Sequence, residues 1–183
     1  MIYTGAMAGP NTFSLSSSNL QCLPSDPQYY QTNNPSKALH SSLRQAIYYV
    51  RHMPDLAYVH SHYVPCVICE TNQRLTTLIV PAMTKCPTSD WHLEYNGYLM
   101  SGIEHTGGKE NDFTQTKDRA SSNYICLDKN AESLTSKPRP AVPESIGAEI
   151  FPVDADCTDV EGLTTCPPYQ ANNVALACVV CSK

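Results

Sequence analysis

Cys66-Val67-Ile68-Cys69-Glu70 returns near the end of the chain as Cys178-Val179-Val180-Cys181-Ser182. Three further landmarks precede each copy in the same order: Tyr3–Ala8 is repeated by Tyr95–Met100, Asn19–Leu23 by Asn123–Leu127, and Ala46–Tyr48 by Glu149–Phe151. Four matching landmarks in one order predict a tandem duplication. We therefore expect a first repeat over residues 1–73 and a second over residues 74–183, which together form one compact domain.

The two repeats differ in their cysteines. The second holds six (Cys86, Cys126, Cys157, Cys166, Cys178 and Cys181), and the first holds three (Cys22, Cys66 and Cys69). An odd total of nine cysteines indicates a free thiol, an intermolecular bridge or a partner missing from the chain, and we favour the last. The second repeat opens with an apolar lead-in and Cys86, which the first lacks. We therefore expect a truncated first repeat, whose missing cysteine and export signal stand before Met1.

Composition favours an oxidising compartment. Nine cysteines in 183 residues, with only 16% charged residues, are typical of a protein whose disulfides form outside the cytosol. A net charge of -5 without clusters of Lys or Arg argues against nucleic acid and anionic membranes as partners. No window approaches the roughly 18 consecutive apolar residues of a membrane span, so none is predicted.

Strand signals in the chain are short and lie between long polar tracts. Segments rich in β-branched and large apolar residues cover residues 75–80, 95–100, 148–153 and 174–180. Helical spacing of apolar residues is confined to Pro35–Val50, and the repeat argues that the later half of this segment is strand. The sequence therefore predicts an α+β fold dominated by strands, in which bridges compensate for long loops.

Four elements of the second repeat carry a family resemblance: Cys86-Pro87-Thr88-Ser89-Asp90-Trp91, Tyr95-Asn96-Gly97-Tyr98-Leu99-Met100, Tyr124-Ile125-Cys126-Leu127 and Cys178-Val179-Val180-Cys181. In this order they resemble the carboxy-terminal non-collagenous domain of short-chain, spongin-type collagens. More distantly they resemble the tandem non-collagenous domain of type IV collagen. The chain itself contains no Gly-x-y run, so it carries no collagenous part.

The resemblance implies a tandem duplication of a C-type-lectin-like unit stapled by disulfides. It also implies a pairing of the cysteines: Cys86–Cys181, Cys126–Cys178 and Cys157–Cys166 in the second repeat, and Cys22–Cys66 in the first. Cys69 would then be unpaired. Spacing alone leaves the pairing open, because six cysteines allow 15 connectivities.

Two other uses of the Cys-x-x-Cys pairs compete with bridging. Four thiolates could hold zinc in a tetrahedral site, although the two pairs lie much farther apart than in common zinc ribbons. A thioredoxin-like redox pair needs a strand that leads into a helix, and polar residues follow Cys69 instead. We expect neither of them, and no metal or cofactor.

A few polar residues are weaker candidates for a site. His60 and His62 alternate and could share one strand face as ligands, and His105 near Gly107 could contact a ligand, but solvated side chains explain all three. An acidic stretch surrounds Cys157 and could hold calcium weakly (Glu144, Glu149, Asp154, Asp156, Asp159 and Glu161). No nucleophile–base arrangement and no catalytic carboxylate pair is evident, so an enzyme is not expected.

The expected function is that of a secreted, non-enzymatic structural domain of the extracellular matrix, related to collagen. It would act in protein–protein association with other matrix proteins or like domains, including formation of a homo-oligomer. The alternative is a lectin-like module that binds carbohydrate or mineral. That alternative depends on the implied lectin-like fold, the long polar loops and the acidic stretch.

Overall fold

A computed structural model describes residues 1–10, 19–29, 43–70, 73–103, 121–138, 148–153 and 175–183. In chain order its strands are β1 (Tyr3–Pro10), β2 (Gln21–Pro24), β3 (Leu43–Gln45), β4 (Ile47–Tyr48), β5 (Pro65–Ile68), β6 (Thr77–Pro81), β7 (His92–Ile103), β8 (Ser121–Asp128), β9 (Glu149–Pro152) and β10 (Ala177–Ser182). One 3-10 helix, Pro54–Val59, lies between β4 and β5. The prediction of a strand-dominated fold is confirmed.

The first sheet is built around β1. β2 pairs with β1 over Gly5–Ala8, and β5 pairs with it over Tyr3–Ala6, both antiparallel. Because Gly5 and Ala6 take part in both ladders, β2 and β5 lie on opposite edges of β1. β3 continues the edge of β5 along the last residues of β1.

The second sheet has six strands and is built around the long strand β7. β8 occupies one edge of β7, and β10 and β9 follow each other along the opposite edge. β6 pairs antiparallel with the outer edge of β10, and β4 pairs parallel with β9. The short strand β4 therefore carries part of the predicted first repeat into the second sheet, and the repeat boundary at residue 73 stays a prediction.

The ladders around β1 and β7 have the same register. Gly5 faces Pro24 in β2 and Cys66 in β5, and Gly97 faces Asp128 in β8 and Cys178 in β10. At both glycines the neighbouring strand approaches closely, since an added Cβ would lie 1.7 Å from the carbonyl oxygen of Leu23 or Leu127. A side chain is therefore excluded at these two positions of the sequence.

Hydrogen bonds correct one of the four sequence landmarks. Ala46 N–H donates to Met7 O, and Val153 N–H donates to Leu99 O at the equivalent place beside β7. Ala46 thus corresponds to Val153, and the alignment of Ala46–Tyr48 with Glu149–Phe151 is wrong. Ile47 and Tyr48 instead lie side by side with Glu149 and Ile150 as parallel strands.

The helical interpretation of Pro35–Val50 is not met where the structure describes that segment. Residues 43–45 and 47–48 are strands, and the earlier residues 35–42 lie outside the described part of the chain. Tertiary pairing with β1 and β9 overrides the helical spacing of the apolar residues there. The later half is therefore strand, as the repeat argued.

One apolar core joins the two sheets. The first repeat contributes Leu20, Ala46, Tyr48, Val50, Met53, Leu56, Val59 and Val64, and the second contributes Met100, Leu127, Ala131, Ala148 and Ile150. Backbone contacts cross between the repeats as well: Tyr49 N–H donates to Ile150 O at 2.9 Å. None of the described helices is long and apolar enough to cross a membrane.

Candidate functional site: the outer edge of β5

Three disulfides tie the described strands together. Cys22–Cys66 links β2 with β5 across β1, and Cys126–Cys178 links β8 with β10 across β7. Both pairs have Cα atoms 5.7 Å apart. The third bridge, Cys86–Cys181, ties the segment after β6 to the end of β10. These are three of the pairs that the family resemblance implies, and Cys69 is an exposed free cysteine.

Several candidate residues lie outside the described part of the chain. These are Cys157 and Cys166, His105 with Gly107, and Glu144, Asp154, Asp156, Asp159 and Glu161 of the acidic stretch. Of that stretch, only Glu149 is described, and it lies in β9. The Cys157–Cys166 bridge therefore stays a prediction.

A tyrosine lies beside each of the two bridges that cross a central strand, Cys22–Cys66 and Cys126–Cys178. The Tyr3 hydroxyl donates to Cys22 O at 3.1 Å, and the Tyr95 hydroxyl donates to Cys126 O at 3.0 Å. Burial, followed by the nearby charge of Asp128, raises the pKa of Tyr95 above its ordinary value. Tyr98 instead donates to a carboxylate oxygen of Asp55 at 3.2 Å. All three tyrosines thus bond within the fold.

The outer edge of β10 is covered. β6 pairs with it from Ser182↔Thr77 to Cys178↔Pro81, and Ala82 N–H donates to Ala177 O at 2.8 Å. The chain then turns back, with Ala82 at a positive φ of 58°, and reaches the Cys86–Cys181 bridge. Strand, turn and cysteine together close this edge, and Val179 in its middle is fully buried.

Over the described residues, the corresponding edge of β5 is open. Among the described strands only β1 pairs with β5. Val67 and Ile68 are 52% and 36% exposed, whereas Val179 and Val180 at the same places in β10 are 0% and 8% exposed. Cys69, which corresponds to the bridged Cys181, is a free thiol at the end of this edge.

The backbone of β5 is suited to pairing on its outer side. Val64 bonds inward through both of its backbone groups, to Met7 and Ala46, just as Leu176 bonds to Leu99 and Val153. Because donors and acceptors alternate along an antiparallel strand, Pro65 and Val67 direct their backbone groups outward. Pro65 lacks an N–H, but Ala177 at the same place uses its carbonyl, which accepts the N–H of Ala82 just after β6.

His60, the first of the two histidines, serves the fold locally. The His60 Nδ1 atom accepts the backbone N–H of Val50 at 3.2 Å, and its ring lies edge-on to Tyr49 at 5.3 Å between centroids. Partial burial, followed by the positive charge of Arg51, lowers the pKa of His60. Ser61 between the two histidines has a positive φ of 62°, so the segment is a turn and not the strand that we expected.

In neither Cys-x-x-Cys pair do both cysteines remain thiols. Cys178 and Cys181 bond to Cys126 and Cys86, and Cys66 bonds to Cys22. A sulfur in a disulfide has no thiolate with which to bind zinc. Over the part of the chain that the structure describes, no group of three His, Cys, Asp or Glu side chains could hold a metal ion.

Comparison with known proteins gives no relative: no protein-family model, no curated protein and no solved structure matches this chain.

Proposed function

We propose that this chain is a secreted structural domain of the extracellular matrix that acts by associating with other proteins. On this proposal it is a tandem duplication of a C-type-lectin-like unit, similar to the non-collagenous domains of spongin-type collagens. Disulfides that cross the central strand in both halves support an origin in an oxidising compartment. The equivalent registers around β1 and β7 support the duplication.

The observation that carries the association role is the open edge of β5. A sheet edge with exposed apolar side chains is a template for a further strand, and proteins normally cover or charge such an edge. Here the same edge is covered in the other half of the molecule. The uncovered one is therefore the surface through which a partner would bind.

Size-exclusion chromatography with light scattering tests this function on the full chain, alone and with solubilised matrix proteins. We expect either a homo-oligomer or a complex with a matrix component. A variant with Val67→Lys on the open edge should lose the association. Val80→Lys, in the strand that covers the edge of β10, is the matched comparison for charge. A strict monomer that binds no matrix component would contradict the proposal.

A glycan array with and without calcium separates this role from the lectin-like alternative. If the protein is a monomer that binds a glycan or mineral but no matrix protein, the lectin-like alternative would be favoured.

A further inference from the structure

We propose that the outer edge of β5 receives an antiparallel strand of the β6 type from a separate polypeptide, which then bonds covalently to Cys69. The occupant is a short apolar strand followed, after a turn, by a cysteine. This inference rests on the proposed association function and names the partner chemistry of the same edge. It does not depend on whether the partner belongs to the matrix.

The second half of the molecule shows what covers this edge. β10 and β5 hold equivalent positions beside β7 and β1, with Cys178 facing Gly97 and Cys66 facing Gly5. The cover of β10 is Thr77–Pro81, which places Val80 opposite Val179. By the same register, an apolar residue of the incoming strand would lie opposite Val67. Its burial there would remove the exposure of a side chain that is now 52% accessible.

Main-chain hydrogen bonds would supply the affinity, and alternate side chains the specificity, as in other cases where a strand is added to a sheet. The outward carbonyl of Pro65 would accept an N–H of the incoming strand, as Ala177 O accepts the N–H of Ala82. Val67 would offer both a donor and an acceptor. An edge that begins with a proline restricts the register, because one of its outward donors is missing.

The covalent step is thiol oxidation or thiol–disulfide exchange. If the partner cysteine arrives as a thiol, the new S–S bond forms with loss of two electrons and two protons to a disulfide oxidant of the compartment. If it arrives as a disulfide, the Cys69 thiolate attacks the partner sulfur, the old S–S bond breaks, and the second thiolate leaves with the electron pair. Cys69 is exposed, so the attack is accessible in the folded protein.

A synthetic peptide with the sequence of residues 75–88 tests the proposal. Its cysteine is presented as the mixed disulfide with thionitrobenzoate, whose release reports the exchange without an added oxidant. The control peptide has the same turn and cysteine, with residues 76–80 scrambled into a polar-interrupted order. We expect the native peptide to react with the folded protein at least about tenfold faster, because strand pairing raises the effective concentration of its sulfur near Cys69. Mass mapping should place the adduct on Cys69 alone.

Two variants assign the rate difference to the edge. Val67→Pro removes the outward N–H but keeps Cys69, and edge strands tolerate proline. Because the incoming strand loses this donor, both peptides should react equally slowly with the variant. With Cys69→Ser and a Cys86→Ser peptide, hydrogen exchange at the Val67 amide should slow when the peptide binds. Equal rates of the two peptides on the unchanged protein would overturn the proposal, as would faster formation of a Cys69–Cys69 dimer.

The result is separable from the proposed function. Peptide capture by a chain that binds no matrix protein would support the strand-docking edge and contradict the matrix role. Matrix binding that persists in Val67→Pro, together with equal peptide rates, would do the reverse.

Discussion

The ladder around β1 and the ladder around β7 are two versions of one arrangement that differ in a single cover. Both have a glycine that a neighbouring backbone approaches closely and a disulfide across the central strand. In both, a tyrosine hydroxyl donates a hydrogen bond to the carbonyl of a bridged cysteine. Among the described residues, only the ladder of β7 has a strand and a third bridge on its outer edge. The bridged frame therefore forms without the cover, and the cover decides which residues face solvent.

The largest effect is expected where the backbones approach most closely. Gly97→Ala would place a Cβ 1.7 Å from Leu127 O, so the β7–β8 ladder must separate. We expect a loss of about 4 kcal/mol or more, or failure to fold, in urea-induced unfolding. Gly5→Ala should resemble it but be milder, because β2 is only four residues long and can shift.

Gly9→Ala is the matched control in the same strand as Gly5. Its Cβ would meet the side chains of Ala148 and Leu20 at 2.9 Å and no backbone atom, so it should cost less than Gly5→Ala. If Gly9→Ala proved the more damaging of the two, the proposed equivalence of Gly5 and Gly97 would be weakened.

Removal of the two bridges that cross a central strand should cause the next largest loss of stability. By chain entropy, the sequence separations of 44 for Cys22–Cys66 and 52 for Cys126–Cys178 predict nearly equal losses, about 4 kcal/mol each. Double replacement by alanine in the second pair should cost more, since Cys178 is fully buried and leaves a cavity. Denaturant midpoints of the two double variants measure the difference; equal midpoints would mean that burial adds nothing.

Opening the third bridge should make β10 resemble β5. Cys86→Ala with Cys181→Ala removes a link of sequence separation 95, worth roughly 4 to 5 kcal/mol by chain entropy. We expect β6 to loosen and the Val179 amide to exchange hydrogen faster, towards the rate of Val67. Unchanged protection at Val179 would show that strand pairing alone holds the cover.

Loss of a tyrosine hydroxyl should have a smaller effect. Tyr95→Phe leaves the Cys126 carbonyl without its donor, at a cost of about 1 kcal/mol. Tyr3→Phe makes the same change beside Cys22 and should cost a similar amount. Thermal unfolding of the two variants checks this pair; a large asymmetry would contradict the equivalent roles of the two tyrosines.

The smallest effect at neutral pH is a titration that appears only in alkali. Burial raises the pKa values of Tyr48 and Tyr95 above the ordinary 10.0. A raised folded-state pKa means that the unfolded chain loses its protons first, so stability is complete below pH 10 and declines as the pH rises further. Unfolding curves at several alkaline pH values should show this decline, and Tyr48→Phe with Tyr95→Phe should flatten it.

The strands that the sequence predicted are those with dense apolar or β-branched residues. The predicted segments at 75–80, 95–100 and 148–153 contain most of β6, the middle of β7 and all of β9. The 174–180 segment was placed a few residues early, because β10 continues through Cys181 to Ser182. Alternation and residue type were sufficient for these strands.

Other features depend on contacts between distant residues. The six-residue 3-10 helix at Pro54–Val59 carries too few residues for a periodic pattern, although Pro54 at its first turn was a usable signal. The correspondence of Ala46 with Val153 follows only from their bonds to Met7 and Leu99. The open edge of β5 could be inferred from the odd cysteine, but its exposed valine and outward backbone groups required the register of β5 on β1.

Mass mapping of the sulfurs in the folded, unreduced protein tests the central claim most directly. The expected result is Cys22–Cys66 and Cys126–Cys178 as equivalent bridges, Cys86–Cys181 as the additional one, and Cys69 as a thiol that an alkylating reagent modifies. A bridge between Cys66 and Cys69, or fully reduced cysteines bound to a metal, would contradict the account of two equivalent bridged frames of which, among the described strands, only the second has a covered outer edge.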